Sequence, residues 1–283
     1  MRMNWFFHGN ITSQEAIHIV EKINDLLIYN SSEESSFLKE RIVKLPKRIR
    51  YVYEKFCENN ETNNSAFLLY FQGGFYEFND LKRFSTNYIL LSLLNVEAYY
   101  VLRTKKQLGY VLSVNNVSFN KVYGGTLLIQ SPNYAPIELA LIIEEFVEGF
   151  FSYLSSYDQK KFEDCVNAKI ETNNQKYLGP YEEFNEFKNF IESRDYAFNF
   201  REKIVESLKN IIIQDVINYA KEMLIDNPSR FEYSIISHKH LEKNKEAKDK
   251  YEVMCKSKGF KIINIHSEIE MKNLNKMFQL NTP

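Results

Sequence analysis

The 283-residue sequence predicts an α+β fold, a two-layer α/β sandwich in which helices pack on one face of a mainly antiparallel sheet. Two observations support this prediction. Candidate strands fall in two groups in the first half of the chain, at about residues 50–71 and 110–130. Consecutive helical patterns then run from residue 136 to residue 224, and one last strand follows. This segregation of strands and helices is typical of an α+β domain.

The composition is that of an ordinary globular protein, with 44% hydrophobic and 26% charged residues. The net charge of −1 provides no overall field that would attract nucleic acid or an anionic membrane. Three cysteines without a C-x-x-C pair favour a reducing compartment. No signal peptide is visible, and the most apolar run, residues 88–102, is too short to span a bilayer. We therefore expect a cytoplasmic protein with neither nucleic-acid nor membrane partners.

The first predicted element is a helix that begins after Thr12. Thr12 and Glu15 form a T-x-x-E capping box, and apolar residues follow at helical spacing. The preceding stretch, residues 5–12, is expected to be the end of a strand, which implies that further chain lies upstream. Within it, His8 is expected to be a turn histidine bonded to the backbone. Residues 30–36 are predicted to be a polar loop.

The next predicted elements are two strands, residues 50–56 and 66–71. The asparagine-rich loop between them favours an antiparallel hairpin. A long helix follows, capped by Ser85 or Thr86, and its apolar face continues to Leu102.

A second pair of strands is expected after this helix. The first would start at Tyr110 and end in a turn at Asn115-Asn116, and the second would cover residues 122–130. Gly124-Gly125 inside the latter predicts a bulge or a close backbone approach.

The helical half opens at Pro136 with the strongest amphipathic pattern in the chain. Its apolar positions form one face, and Glu144, Glu145 and Glu148 are predicted on the other. Further helices are predicted at residues 158–172, 180–193, 198–208 and 213–224. Alternating Phe231, Tyr233 and Ile235 predict the last strand.

We expect residues 1–240 to form the domain. Residues 241–283 are expected to be a charged loop and a tail packing on it, with a short helix near Ser267.

The stretch L-R-T-K-K-Q-L-G-Y, residues 102–110, closes the long helix and opens a strand. Gly109 is expected to end the helix in the left-handed conformation. Arg103 would lie on the last helical turns and Tyr110 on the first strand residue, so both side chains can face one space. The alternative is an ordinary capped corner with a solvated arginine and a packed tyrosine.

The sequence predicts no metal site in this chain. None of its five histidines begins or ends an H-x-x-E-H or H-E-x-x-H pattern. His238 and His240 are the one close pair, and they lack a third ligand nearby. Both are expected to be surface residues.

The string R-T-K-K-Q-L-G-Y resembles the R-T-K-x-Q-L-G-Y signature in the C-terminal half of the insulysin branch of the insulinase/pitrilysin zinc metallopeptidases. The opening H-G-N-I-T, residues 8–12, is similar to the start of the last domain in these enzymes. Lys106 departs from the pattern, which usually has Glu there. The resemblance implies an insulinase/mitochondrial-processing-peptidase-like domain without zinc ligands, matching the predicted sandwich.

The resemblance also implies a function. The chain would be the zinc-free C-terminal part of a metalloendopeptidase that degrades peptides in a closed chamber, with zinc in an N-terminal half that this chain lacks. Arg103 would bind a backbone carbonyl of the peptide substrate. Tyr110 would bind the substrate and donate a hydrogen bond to the scissile carbonyl, a catalytic, oxyanion-stabilising role. The chain alone is expected to be inactive and to hold no cofactor.

A second hypothesis is a catalytically inactive module of the same fold that binds peptides or serves assembly. Retention of both Arg103 and Tyr110 favours the peptidase. A stand-alone small-molecule enzyme finds no supporting motif.

Overall fold

The computed structural model describes residues 3–28, 42–226, 228–267 and 270. The predicted polar loop at 30–36 lies outside these residues, as does nearly all of the predicted tail helix. The chain divides into two compact units. One combines residues 1–40 with 174–200, and the other combines 41–173 with 201–283. The predicted boundary after residue 240 stays a prediction.

The larger unit is built on a six-stranded sheet with the order β3-β4-β2-β5-β1-β6. The strands are β1 Ile49–Phe56, β2 Ser65–Phe75, β3 Val111–Phe119, β4 Val122–Ser131, β5 Arg230–Ile236 and β6 Lys261–Ile265. The pairs β3-β4, β4-β2 and β2-β5 are antiparallel, whereas β1 pairs in parallel with both β5 and β6. The α+β class with a mainly antiparallel sheet is therefore confirmed.

The predicted hairpin between β1 and β2 is wrong. β5 lies between these two strands and pairs with each of them. Arg50 of β1 forms a buried ion pair with Glu232 of β5, with 3.0 Å between Nη1 and Oε1. A buried charge needs such a partner, which favours β5 as the neighbour of β1.

Nine helices lie in the described part of the chain. They are α1 Ser13–Leu26, α2 Lys82–Ala98, α3 Pro136–Ser155, α4 Gln159–Asn174, α5 Pro180–Glu192, α6 Phe200–Leu208, α7 Ile213–Ala220, α8 Leu241–Glu246 and α9 Lys248–Ser257. α2 and α7 continue into π-helical segments, Tyr99–Lys105 and Lys221–Asp226. In the described residues no helix is long and apolar enough to cross a membrane.

The start of α2 and the turn after β3 differ from prediction. Ser85 and Thr86 are buried inside α2, and its first amide, that of Lys82, donates instead to Asp80 Oδ1 at 3.2 Å. Asn115-Asn116 lie within β3, and the hairpin turns at Asn120-Lys121, both with positive φ. Two such residues match the twist of a β-hairpin, so this turn is preferred.

The predicted close backbone approach is confirmed at Gly124, whereas Gly125 packs against a side chain. A Cβ at Gly124 would lie 2.0 Å from the carbonyl oxygen of Phe71, and one at Gly125 would lie 2.5 Å from a Leu91 methyl carbon. The bulge falls instead in β2, between Gln72 and Gly74.

Glu144 of α3 is buried, whereas the sequence placed it on the solvent face of the helix. Its exposure is 4%. Its Oε1 pairs with Arg230 and, at 2.8 Å, with Arg50, and its Oε2 pairs with Lys258 at 3.0 Å. Burial raises the pKa of this carboxyl, but the three cations outweigh that effect and lower it to about 2.

The charged loop predicted from residue 241 is wrong for residues 241–257, which form α8 and α9. Tyr251 and Cys255 are buried one turn apart on α9, while its lysines stay at the surface. The Tyr251 hydroxyl donates to Glu232 Oε2 at 2.5 Å. These anchors explain why a lysine-rich segment is helical.

The smaller unit contains α1 and α5. The Thr12–Glu15 capping box is confirmed, because the Glu15 amide donates to Thr12 Oγ1 and the Glu15 carboxylate accepts from the Thr12 amide. No strand forms at residues 5–8. His8 pairs through Nε2 with Glu183 of α5 at 2.9 Å and not with the backbone.

Candidate functional site

The corner between α2 and β3 positions the two predicted site residues. The Lys106 amide donates to the Val101 carbonyl at 2.9 Å, and the Leu108 amide donates to the Leu102 carbonyl at 3.0 Å. Leu102 and Leu108 are both fully buried, which fixes the end of the π-helical segment on the core. Arg103, on the last turn of this segment, is held beside them.

Gln107, and not Gly109, takes the left-handed conformation that was predicted at this corner, with φ of 51°. Gly109 serves another purpose. A Cβ there would lie 1.9 Å from the carbonyl oxygen of Gln130 in β4, so no larger residue fits. The hydroxyl of Ser131 donates to the Leu108 carbonyl at 2.5 Å and fastens the corner to the end of β4.

Arg103 and Tyr110 lie in direct contact. The guanidinium carbon of Arg103 is 4.8 Å from the centroid of the Tyr110 ring and 4.6 Å from that of Tyr99. Tyr110 precedes the first residue of β3 and is 82% exposed. Arg103 is half-buried, and its guanidinium has no hydrogen-bond or ion-pair partner among the described residues. The roles assigned to the two residues stay predictions.

An open groove of about 490 Å³ runs beside this pair. It lies where β3 begins, where β4 ends and just before β2. Its lining consists of Asn64, Arg103, Gln107, Gly109, Tyr110, Val111, Gln130, Pro132 and Asn133. This volume is within the usual range of ligand sites, roughly 300–1,000 Å³.

Sequence reasoning missed several of these residues. Tyr99 is four residues before Arg103 on a helix, a spacing that puts two side chains on one face and could have identified it. Asn64, Gln130 and Asn133 come from distant strand ends and could be found only with the strand order. Lys106, the departure from the resembled signature, does not line the groove and pairs with exposed Glu145 at 3.1 Å.

The predicted pair of surface histidines is only half correct. His238 is exposed, but His240 is fully buried on a short 3₁₀ turn, and its Nδ1 lies 2.9 Å from Ser65 Oγ. Burial and then the neighbouring Lys243 and Lys239 lower the pKa of His240. In the described residues no three His, Cys, Asp or Glu side chains are grouped so that they could hold a metal ion, so these residues do not fit a zinc site.

Comparison with known proteins finds a family match and similar sequences. Residues 89–187, which contain Arg103 and Tyr110, match the family described as PQQ synthase PqqF-like, C-terminal lobe domain 4. The chain is 28% identical to the insulin-degrading enzyme of Homo sapiens over 246 residues, which are 81% of this chain and 22% of that protein. It is 26% identical to a nardilysin-like protein of Arabidopsis thaliana over 214 residues, 76% of this chain and 21% of that protein.

Solved structures share the fold. Pitrilysin superposes with a TM-score of 0.73 at 18% identity, covering 95% of this chain and 27% of that one. A peptidase M16 inactive domain from Pseudomonas fluorescens superposes with a TM-score of 0.56 at 10% identity, covering 80% of this chain and 52% of that one.

The chain spans about a fifth of the length of the relatives that it matches in sequence. The R-T-K-x-Q-L-G-Y corner, the fold and these relatives agree. In sequence and in fold the chain is therefore similar to C-terminal domains of insulysin-like metallopeptidases of the insulinase family.

Proposed function

We propose that this chain is the zinc-free C-terminal part of an insulysin-like metalloendopeptidase and that it contributes Arg103 and Tyr110 to peptide cleavage. The observation that supports this most directly is the contact between a guanidinium without a described partner and an exposed phenol, on the wall of an open groove. A solvated arginine beside a packed tyrosine, the alternative for this corner, would not leave Tyr110 82% exposed.

The two side chains bind different carbonyl groups of the peptide. The planar guanidinium of Arg103 donates to a backbone carbonyl oxygen of the substrate and fixes the position of the peptide. The Tyr110 hydroxyl donates to the scissile carbonyl oxygen as negative charge develops there. One such donor, preorganised in a site that excludes water, contributes about 3 kcal/mol, or about a hundredfold in rate.

The rest of the reaction belongs to a partner. This partner is the N-terminal half of the enzyme. It would hold zinc, which supplies the activated water, and it would close with this chain around the peptide. The match to only a fifth of each relative supports a longer enzyme. This chain alone is then inactive. A cytoplasmic location stays part of the proposal.

A second candidate is a catalytically inactive peptide-binding or assembly module. The structural likeness to a protein described as a peptidase M16 inactive domain favours it. The two candidates differ in one respect: a module needs Arg103 and Tyr110 at most for binding, whereas the enzyme needs Tyr110 for turnover.

The test is cleavage of an internally quenched peptide by this chain combined with the zinc-bearing half. We expect no turnover by this chain alone, with or without added zinc. In the combined protein, Tyr110→Phe removes one hydroxyl, and we expect kcat to fall about a hundredfold with KM little changed.

Tyr134→Phe is the matched control, since Tyr134 is a half-buried tyrosine outside the groove lining. Equal turnover for Tyr110→Phe and wild type would refute the role of Tyr110. Peptide binding without any turnover in the combined protein would favour the module.

A further inference from the structure

The groove beside Arg103 is lined by polar groups without a carboxylate. Four of its lining side chains are amides: Asn64, Gln107, Gln130 and Asn133. Arg103 is the one charged residue among the lining residues that the structure describes. A ligand with negative charge would therefore meet donors here and no repelling acid.

Two lysines add positive charge at the edge of the groove. Lys239 Nζ donates to the carbonyl of Pro132 at 3.3 Å, and Lys243 Nζ donates to the carbonyl of Asn133 at 3.2 Å. Both carbonyls belong to residues that line the groove. Each ammonium has three hydrogens, so donors remain after these bonds.

Two acidic residues near these lysines in the fold, Glu242 and Glu138, are engaged with other groups. Glu242 pairs with Lys245 at 3.0 Å. Glu138 accepts a hydrogen bond from the Ala135 amide at 2.8 Å, where it caps α3. Neither carboxylate lines the groove.

The contacts of Arg103 suit a planar anion. Aromatic rings approach its guanidinium carbon at 4.6 and 4.8 Å, and no described residue accepts from its N–H groups. Such N–H groups match the two oxygens of a carboxylate in geometry. Next to it, Gln107 is in a left-handed conformation that costs energy, a feature that clusters at binding sites.

We infer that this groove selects peptides that carry a carboxylate beside the segment bound at Arg103 and Tyr110. The inference rests on the proposed function and names its substrate class. The carboxylate comes from an Asp or Glu side chain or from a free C-terminus, since both present the same group. Lys239 and Lys243 would bind it together with those N–H groups of Arg103 that the backbone carbonyl does not use, since a guanidinium has five.

The experiment measures binding of four fluorescent peptides of one sequence to the purified chain by anisotropy. One position is Asp or Asn, and the C-terminus is free or amidated, in all four combinations. We expect the amidated Asn peptide, which has neither carboxylate, to bind about tenfold more weakly than the best carboxylate peptide. The two peptides with a single carboxylate show whether the groove binds the Asp side chain or the free C-terminus. Lys239→Gln and Lys243→Gln should each weaken carboxylate peptides by about two- to fivefold and leave the neutral peptide unchanged.

Lys250→Gln is the control, because Lys250 is an exposed lysine of α9 that does not line the groove. Equal affinities for all four peptides, with Arg103→Leu weakening all of them, would overturn the selectivity and leave the proposed function intact. No effect of Arg103→Leu on any peptide, or no binding at all, would overturn both.

Discussion

Replacing Glu144 by Gln should destabilise the protein more than any change at the neighbouring surface acids. The glutamine keeps the size of the side chain but removes the negative charge that faces Arg50, Arg230 and Lys258. Both arginines are 1% exposed, so water cannot replace the lost carboxylate. Among the residues that the structure describes, Glu232 is then the one buried acid left for these two fully buried arginines.

The magnitude follows from the pKa of the carboxyl. It falls from its usual 4.5 to about 2 in the fold, which corresponds to about 3 kcal/mol of unfolding free energy at neutral pH. Independently of the pKa, removing one partner of a buried ion pair generally lowers the free energy of unfolding by about 3–5 kcal/mol. We therefore expect Glu144→Gln to lower the free energy of unfolding by about 3–5 kcal/mol at pH 7.

The assay is urea unfolding followed by circular dichroism. Glu145→Gln is the control, since its side chain is 71% exposed and should change stability by no more than about 0.5 kcal/mol. Because the folded pKa of Glu144 is depressed, its contribution is complete above about pH 4.5 and is lost as the pH falls towards about 2. The difference between wild type and variant should narrow over that range. A loss below about 1 kcal/mol at pH 7, or a difference that stays constant with pH, would refute this reasoning.

Gly109→Ala and His240→Gln test two supports of the groove, and Gly149→Ala is the control for the first. Gly109→Ala places a Cβ 1.9 Å from the Gln130 carbonyl oxygen. We therefore expect the free energy of unfolding, measured by thermal unfolding, to fall by about 3 kcal/mol or more. Gly149→Ala, in open space on a helix, should raise it by about 1 kcal/mol. Burial lowers the pKa of His240 below its usual 6.5, so stability should decline as the pH falls below that value. His240→Gln should flatten this decline in urea titrations between about pH 8 and 5, and an unchanged slope would contradict it.

Local patterns in the sequence predicted the helices and the corner that carries the site. The capping box at Thr12 and the apolar face of α3 depend on residues within a few turns, which a sequence displays directly. The placement of Arg103 and Tyr110 on two consecutive elements was likewise available from their spacing. The left-handed conformation of Gln107 could not be predicted in this way. Glycine is the residue that usually adopts it, but Gly109 is needed instead for its close contact with β4.

Long-range features were beyond reach of the sequence. Helical periodicity cannot distinguish Glu144 from Glu145 unless the partners of Glu144 on β1, β5 and beyond α9 are known. In β5 the residues Arg230, Glu232 and Ser234 are buried, while the alternating apolar residues are only half-buried, so polarity alone would orient this strand the wrong way. The strand order decides both cases, and also brings Asn64 to the groove.

The position of β1 within the sheet has a consequence for how the chain folds. β1 pairs with β5 and β6, which are encoded near the other end of the sequence, so the sheet on that side cannot form until residues 230–265 have been synthesised. Closing such a long loop is entropically costly, and topologies rich in distant pairings fold slowly. During synthesis β1 and its buried Arg50 therefore lack their pairing partners until the last strands emerge. The β3-β4 hairpin, which holds Tyr110 next to the end of α2, can form earlier because its two strands are neighbours in sequence.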